Sequence, residues 1–126
     1  MNVLVDTSVW VGHISQRDER LVALLEAGVV VCHPYVVVEV AYGTPPRRTE
    51  VVELLRELER VQVATPDELI DRVQRRALFG RGCGFVDVSL LACALLSDQT
   101  LLWTLDKRLE ALAAELGRAY RPSLAS

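Results

Sequence analysis

The 126-residue chain is 51% hydrophobic and carries a formal net charge of −3. This apolar content excludes a disordered chain, and the length predicts a single domain, 1–126, with a proper core. The acidic balance argues against a protein that coats nucleic acid non-specifically, but not against an enzyme that acts on nucleic acid. No apolar run has the length of a membrane-spanning helix, and no signal-peptide pattern follows Met1. We therefore expect a cytoplasmic protein without a membrane partner.

The first predicted element is a short apolar strand that begins at Asn2 and ends at Asp6. A short apolar run ahead of a helical pattern is typical of a buried parallel strand. Open α/β sheets bind their ligands beyond the carboxyl ends of such strands, so Asp6 lies where this architecture places its chemistry. Thr7 and Ser8 follow as good N-cap residues for a short helix.

Strands and helices alternate along the rest of the chain. The further predicted strands are 29–32, 61–64 and 100–103, with 119–121 as a candidate short edge strand. The further predicted helices are 18–27, 47–60, 65–79, 85–96 and 107–116. In helix 47–60 the apolar face is predicted to comprise Val51, Leu54, Leu55 and Leu58. This alternation predicts an α/β fold in which helices cover both faces of a central parallel sheet of four or five strands.

The segment from Tyr35 to Tyr42 is ambiguous by propensity alone. Its β-branched residues favour a strand, but a strand would bury Glu39 without a partner, which is costly. Pro34 ahead of the segment and Gly43 behind it frame a short helix instead. We predict a helix.

Acidic side chains follow two of the predicted strands, as Asp6 after the first and Asp106 after the last. Parallel strands end at the same edge of a sheet, so these two acids should emerge together. Asp87, in the first turn of its helix, faces the same edge, and Glu39 is an acid in an otherwise apolar segment. Carboxylates that converge without Lys or Arg partners repel one another unless a cation lies among them. Oxygen-only ligands select Mg²⁺ or Mn²⁺, which can activate water and stabilise a phosphodiester in transit.

Each acid also has a structural explanation. Asp6, Asp87 and Asp106 could each cap a helix, and Glu39 could pair with a nearby Arg. His13 and His33, which lack metal-ligand spacing, are predicted to be structural or surface residues. Two tryptophans are predicted in the core, and three cysteines are predicted to be mainly buried free thiols of a reducing compartment: Trp10, Trp103, Cys32, Cys83 and Cys93.

Two further features stay open. The loop Gly80–Gly84 could offer amides to a phosphate at the following helix, or could be a plain connection, since its spacing matches no known phosphate-binding fingerprint. Four arginines could form a basic rim for a nucleic-acid backbone or could be solvated charges at helix ends: Arg47, Arg48, Arg76 and Arg81.

Together these segments resemble the PIN domain and, more narrowly, the VapC-type toxins of bacterial toxin–antitoxin modules. The resemblance covers nearly the whole chain in order and rests on Leu4-Val5-Asp6-Thr7-Ser8, Glu39, Gly84-Phe85-Val86-Asp87 with Leu90-Leu91-Ala92, and Leu102-Trp103-Thr104-Leu105-Asp106. It implies a three-layer α/β/α fold and a metal-dependent endoribonuclease that cuts RNA such as tRNA or rRNA. It also implies a homodimer and a small cognate VapB-like antitoxin that blocks the site.

The resemblance implies a role for each matching residue. The four acids would form the Mg²⁺ or Mn²⁺ site and the hydroxyls would support it: Asp6, Glu39, Asp87 and Asp106, with Thr7, Ser8 and Thr104. Asp6, Asp87 and Asp106 would hold the metal, and Glu39 would orient the attacking water. Relatives often carry an Arg or another polar residue at the position of Leu105, so a substrate contact there is not carried over.

Two rival functions are weaker. A phosphatase of the haloacid dehalogenase kind needs a second acid two residues after the first, where this chain has Ser8, and a site lysine, for which Lys107 is the only lysine available. A catalytically degenerate binding or regulatory module would use the acids only to cap helices.

Overall fold

A four-stranded parallel sheet forms the centre of the computed structural model, which describes residues 1–122. The strands are β1 (Asn2–Val5), β2 (Val30–Cys32), β3 (Glu59–Arg60) and β4 (Thr100–Trp103). Their order is β3-β2-β1-β4, and every neighbouring pair is parallel. The helices are α1 (Thr7–Ser15), α2 (Glu19–Glu26), α3 (Pro34–Tyr42), α4 (Arg48–Glu57), α5 (Pro66–Arg75), α6 (Phe85–Leu95) and α7 (Lys107–Glu115).

The central strand β1 is buried on both faces of the sheet. Val3, Leu4 and Val5 are all fully buried. Because successive side chains of a strand point to opposite faces, helices must cover both sides of the sheet. The predicted three-layer α/β/α fold is therefore confirmed.

The pairing of β1 with β4 positions the chemistry of the chain. The two strands run in register, so that Val5 lies opposite Trp103, and they end level with each other. The chain therefore leaves both strands at one edge of the sheet, with Asp6 directly after β1 and Asp106 three residues after β4, as the sequence predicts.

The third strand lies earlier in the chain than predicted. It comprises Glu59–Arg60, and the predicted strand 61–64 is wrong, as is the extension of α4 beyond Glu57. A strand needs a partner, and β2 ends at Cys32 because the chain there turns into α3. Val61 donates one last hydrogen bond to the Cys32 carbonyl, at 3.1 Å, and the pairing stops there.

The structure also differs from the predictions at the end of α5, at residues 119–121 and on the apolar face of α4. Helix α5 ends at Arg75 rather than at residue 79, because Ala77 adopts a left-handed backbone (φ 53°) and the chain folds back to bury Leu78. At 119–121 the described chain makes a single parallel bridge, Leu102 to Ala119, rather than a full strand. Leu54 of α4 is exposed instead of facing the core.

The ambiguous segment is a helix, α3, as predicted. His33 caps it, since its Nδ1 accepts a hydrogen bond from the Tyr35 amide at 2.9 Å, and Pro34 occupies the first helical position. The helix buries three valines and leaves Glu39 only half-buried. The burial cost that argued against a strand is thereby avoided.

The remaining predictions about the core hold. Trp10 and Trp103 are buried, and Cys32 and Cys93 are buried free thiols, while Cys83 is only half-buried. Within residues 1–122, none of the helices has both the length and the apolar character to cross a membrane.

Candidate active site

Asp6 directly follows β1 and is only 5% exposed. Its amide continues the sheet by donating to the Trp103 carbonyl at 2.9 Å. Its carboxylate Oδ2 accepts hydrogen bonds from Ser8 Oγ at 2.7 Å and from Thr104 Oγ1 at 2.8 Å. Although Asp6 occupies the N-cap position of α1, its side chain makes no capping hydrogen bond. Helix capping therefore does not explain this buried acid.

The two hydroxyls beside Asp6 are fixed in orientation by the backbone. Ser8 Oγ accepts from the Leu105 amide, and Thr104 Oγ1 accepts from the Asp106 amide, both at 3.0 Å. A hydroxyl has one proton to donate, and each of these donates its proton to Asp6. Ser8 and Thr104 thus join the end of β1 to the end of β4 and hold one oxygen of Asp6 in place.

Glu39 reaches the same edge from α3. Thr7, the first residue of α1, donates a hydrogen bond of 2.6 Å from its Oγ1 to Glu39 Oε1. The predicted alternative, an ion pair between Glu39 and an arginine, is not formed among the described residues. All three predicted supporting hydroxyls therefore contact predicted acids.

Asp87 lies in the first turn of α6, and its Oδ2 accepts a long hydrogen bond, 3.4 Å, from the Gly84 amide. The pKa of Asp87 is raised chiefly by its partial burial, against the lowering effect of that hydrogen bond. The negative charges of Asp6, Asp106 and Glu39 raise it further. The predicted acids of three other segments therefore act electrostatically on Asp87.

Asp106 has both a capping role and a place among the acids. Its Oδ1 caps α7 by accepting from the Leu109 amide at 2.9 Å. Helix capping, the structural role predicted as an alternative for Asp106, is thus confirmed for one oxygen of its exposed carboxylate. Its charge nevertheless acts on Asp87, so capping is not its only consequence.

Each of the four acids keeps one carboxylate oxygen that makes no hydrogen bond within residues 1–122. These oxygens are Asp6 Oδ1, Glu39 Oε2, Asp87 Oδ1 and Asp106 Oδ2. In the same part of the chain none of these acids forms an ion pair with Arg, Lys or His. A set of uncompensated hard oxygen donors fits a divalent ion of the Mg²⁺ type.

The arrangement is open rather than a closed cage. The described residues contain no group of three or more His, Cys, Asp or Glu side chains placed closely enough to hold a metal ion among themselves. Mg²⁺ usually keeps several waters and uses only one or two carboxylates directly. The open arrangement therefore fits a hydrated ion better than a fully dehydrated one.

Sequence reasoning named Arg81 as a rim candidate and Cys83 as a free thiol, but it did not place either near the acids, and it did not name Arg108. The pKa of the Cys83 thiol is raised by burial and by the charges of Asp87 and Asp106, and lowered by those of Arg81 and Arg108. One thiol and two arginines therefore lie near the acids. Cys83 lies four residues before Asp87, and this short separation could have indicated that its thiol is near the acids. Nothing in the sequence indicated that Arg108 is near them.

The Gly80–Gly84 loop is tied to α7. Arg108 Nη1 approaches the Gly82 carbonyl at 3.5 Å, and Arg81 forms an ion pair with Glu115 at 2.7 Å. A Cβ atom added at Gly82 would lie only 2.9 Å from Nη1 of Arg108, and the backbone of Gly82 is left-handed, with a φ of 80°. These contacts favour the loop as a structural connection.

The histidines and the other arginines of the predicted basic rim have local structural roles. Arg48 donates to the Ala41 carbonyl. His13 Nδ1 accepts from the Asp18 amide at 2.9 Å, and His33 caps α3, so both histidines are structural as predicted. Two members of the predicted basic rim, Arg47 and Arg76, lie at helix ends as an N-cap and a C-cap.

The fold and this cluster of acids match a known class of proteins. The PIN domain family model matches residues 3–115 of the chain. The chain belongs to the PIN-domain family and, within it, to the VapC type. It is 47% identical over 117 residues to Ribonuclease VapC32 of Mycobacterium tuberculosis, from strains CDC 1551 / Oshkosh and ATCC 25618 / H37Rv, with 93% of this chain and 94% of that relative covered. The haloacid dehalogenase alternative is thereby removed.

Proposed function

We propose that the protein is a divalent-metal-dependent endoribonuclease and the toxin of a toxin–antitoxin pair. The observation that carries this proposal is that the charges of three acids, Asp6, Glu39 and Asp106, all act on Asp87. Among the described residues none of these four acids has an ion-pair partner. The 47% identity to a protein named as a ribonuclease supports the choice of RNA as substrate.

In this proposal Asp6, Asp87 and Asp106 hold a Mg²⁺ or Mn²⁺ ion, directly or through water. The ion would lower the pKa of a bound water and stabilise the charge that develops on the scissile phosphate. Ser8 and Thr104 orient Asp6, because their protons are committed to its Oδ2. Glu39, oriented by the hydroxyl of Thr7, positions the attacking water.

The raised pKa of Asp87 has a role in this mechanism. Partial burial and three neighbouring acids disfavour its ionised form. A divalent cation would reverse this effect, since an opposite charge favours the carboxylate. Metal binding and deprotonation of Asp87 are therefore coupled.

The proposed substrate and protein partners are supported by the same relative. The printed name of that protein, a ribonuclease of the VapC type, supports an RNA substrate and a small VapB-like antitoxin for this chain. That the RNA is tRNA or rRNA and that the chain forms a homodimer remain proposals drawn from the resemblance to the family. A cytoplasmic location is supported by the buried free thiols, which suit a reducing compartment.

A second candidate is a degenerate module that binds RNA or protein without cutting. The capping hydrogen bonds of Asp87 and Asp106 and the open arrangement of the acids favour it. Cleavage separates the two candidates.

The test is RNA cleavage by the purified chain with Mg²⁺ or Mn²⁺ and with EDTA. We expect metal-dependent cleavage that Asp6→Asn and Asp87→Asn each abolish. Asp67→Asn is the matched control, because Asp67 is an exposed acid in the first turn of another helix, α5. Cleavage that persists in EDTA, or in either active-site variant, would overturn the proposal.

A further inference from the structure

Two exposed aromatic side chains lie on the helices that carry Glu39 and Asp87. Phe85 is 64% exposed and Tyr35 is 40% exposed. Their ring centroids are 5.8 Å apart at an angle of 41°, so the two rings form one continuous surface. Large aromatic side chains usually contribute their area to the core, and these two leave much of it in solvent.

Two of the four acids, Glu39 and Asp87, lie on the same two helices as the aromatic pair. Tyr35 precedes Glu39 by four residues on α3, which places both on one helix face. Phe85 begins α6, and Asp87 is two residues further on in the same turn. A group bound against Tyr35 therefore lies on the same face of α3 as Glu39, and one bound against Phe85 lies at the helix turn that carries Asp87.

A cavity of about 210 Å³ adjoins the rings. Most of its lining is apolar, and the lining includes Tyr35, Phe85, Ile70, Cys93, Ser89 and His33. An apolar cavity with a few polar groups is the usual character of a small-ligand site. Its size and its aromatic wall, in which either ring offers a flat face, suit a planar ring system.

His33 gives this cavity a hydrogen-bond donor. Its Nδ1 accepts from the Tyr35 amide, and burial together with the charge of Arg60 lowers the pKa of His33 to about 4. The imidazole is therefore neutral at pH 7 and carries its proton on Nε2. Within residues 1–122 this N–H makes no hydrogen bond, whereas the hydroxyl of Ser89 is committed to the Phe85 carbonyl.

We propose that Tyr35, Phe85 and the adjoining cavity hold one unpaired nucleobase of the RNA substrate, next to the phosphate that is cut. This inference rests on the proposed ribonuclease function. Proteins that recognise single-stranded RNA stack splayed bases on aromatic side chains and contact the base edges by hydrogen bonds. A base in this cavity would find both an aromatic face and a donor for one of its ring nitrogens or carbonyls.

A nucleobase site beside the acids restricts where the RNA can be cut. A base can enter the cavity only when it is out of the helical stack, so the cut must fall at an unpaired nucleotide in a loop, a bulge or a single strand. A fully paired duplex of the same sequence should not be cut.

The test uses an RNA that the wild-type chain cleaves, found by incubating total tRNA and rRNA with the protein and Mn²⁺. Two versions of it are prepared, one intact and one with an abasic residue beside the cut. Binding is measured in the non-cleaving Asp6→Asn background, with and without Phe85→Leu. We expect Phe85→Leu to weaken binding of the intact RNA by about 5- to 150-fold, the equivalent of roughly 1–3 kcal/mol per stacked base.

The abasic RNA distinguishes stacking from a general defect. It should bind Phe85→Leu and the parent equally, because the base that Phe85 would stack is missing. Phe79→Leu is the matched control, since Phe79 is equally exposed but does not line the cavity. It should leave the affinity of both RNAs unchanged.

The outcomes separate the two proposals. If no RNA is cut, the ribonuclease function fails and this inference fails with it. If RNA is cut but Phe85→Leu weakens intact and abasic RNA equally, or weakens neither, the nucleobase site alone is refuted. Cleavage within a continuous duplex also refutes it, as would a result in which only binding of a partner protein responds to Phe85→Leu.

Discussion

Replacing Thr104 with valine removes one hydroxyl and nearly preserves the shape of the side chain. Thr104 is buried, donates to Asp6 Oδ2 at 2.8 Å and accepts from the Asp106 amide at 3.0 Å. A hydrogen bond to a charged group contributes about 1.5–3 kcal/mol, and water can replace the bond to the amide of the exposed Asp106. We expect Thr104→Val to lower the free energy of unfolding by about 2 kcal/mol.

The loss can be measured by urea unfolding and by thermal unfolding. At about 2.1 cal/mol/K per residue, the entropy of unfolding of a 126-residue chain converts 2 kcal/mol into a fall in melting temperature of about 8 °C. Thr100→Val is the matched control, because Thr100 is buried at the opposite end of β4 and its hydroxyl makes no hydrogen bond within the described residues. That variant should unfold close to the wild-type temperature.

The same variant tests how Asp6 is held. Ser8 shares Asp6 Oδ2 with Thr104, and the two hydroxyl oxygens are 3.4 Å apart. The effects of Ser8→Ala and Thr104→Val should therefore be non-additive, with a coupling energy of about 0.5–3 kcal/mol. RNA cleavage by Thr104→Val should fall by about 10- to 100-fold, as for other outer-shell partners of metal sites. Wild-type stability of Thr104→Val, or equal losses in Thr100→Val, would refute this account of Asp6.

Three further predictions concern single residues. Asp87→Asn should raise the melting temperature of the metal-free protein at pH 7, because folding raises the pKa of Asp87 above its usual value of 3.8 and its ionised form therefore opposes folding. The gain should disappear below about pH 4, where Asp87 is protonated in both the folded and the unfolded chain, and a gain that persists there would contradict this account. Ala77→Gly should stabilise the chain by about 0.5–1 kcal/mol in urea unfolding, because Ala77 is left-handed (φ 53°), and a loss of stability would show that this backbone is unstrained. Thr7→Val should lower cleavage about tenfold, as for an outer-shell partner, because the hydroxyl of Thr7 orients Glu39; unchanged cleavage would show that Glu39 does not need this hydrogen bond.

The sequence predicted the edge that carries the acids because that edge depends on local patterns. The apolar runs before Asp6 and before Asp106 each define a buried strand, and parallel pairing then brings the ends of these strands together. The position of Asp87 in the first turn of α6 follows from the glycine loop ahead of it. Glu39 required an energetic argument, the cost of burying an unpaired acid, and the resemblance to a family supported the same conclusion.

The features that the sequence did not predict depend on tertiary contacts. The length of β3 is set by where its partner β2 ends, which the residues of 61–64 do not encode. The end of α5 depends on a left-handed alanine, a conformation that alanine rarely adopts. The aromatic surface joins Tyr35 to Phe85, which are far apart in sequence and meet only when α3 and α6 lie side by side.

A crystal structure of the chain soaked with Mn²⁺, with anomalous scattering measured at the manganese edge, tests the central claim most directly. The account predicts an anomalous peak among the free carboxylate oxygens of Asp6, Asp87 and Asp106, and loss of that peak in crystals of Asp6→Asn. Crystals of Asp67→Asn should keep it. A site that stays without manganese in the wild-type chain, or a peak bound away from these three acids, would contradict the account.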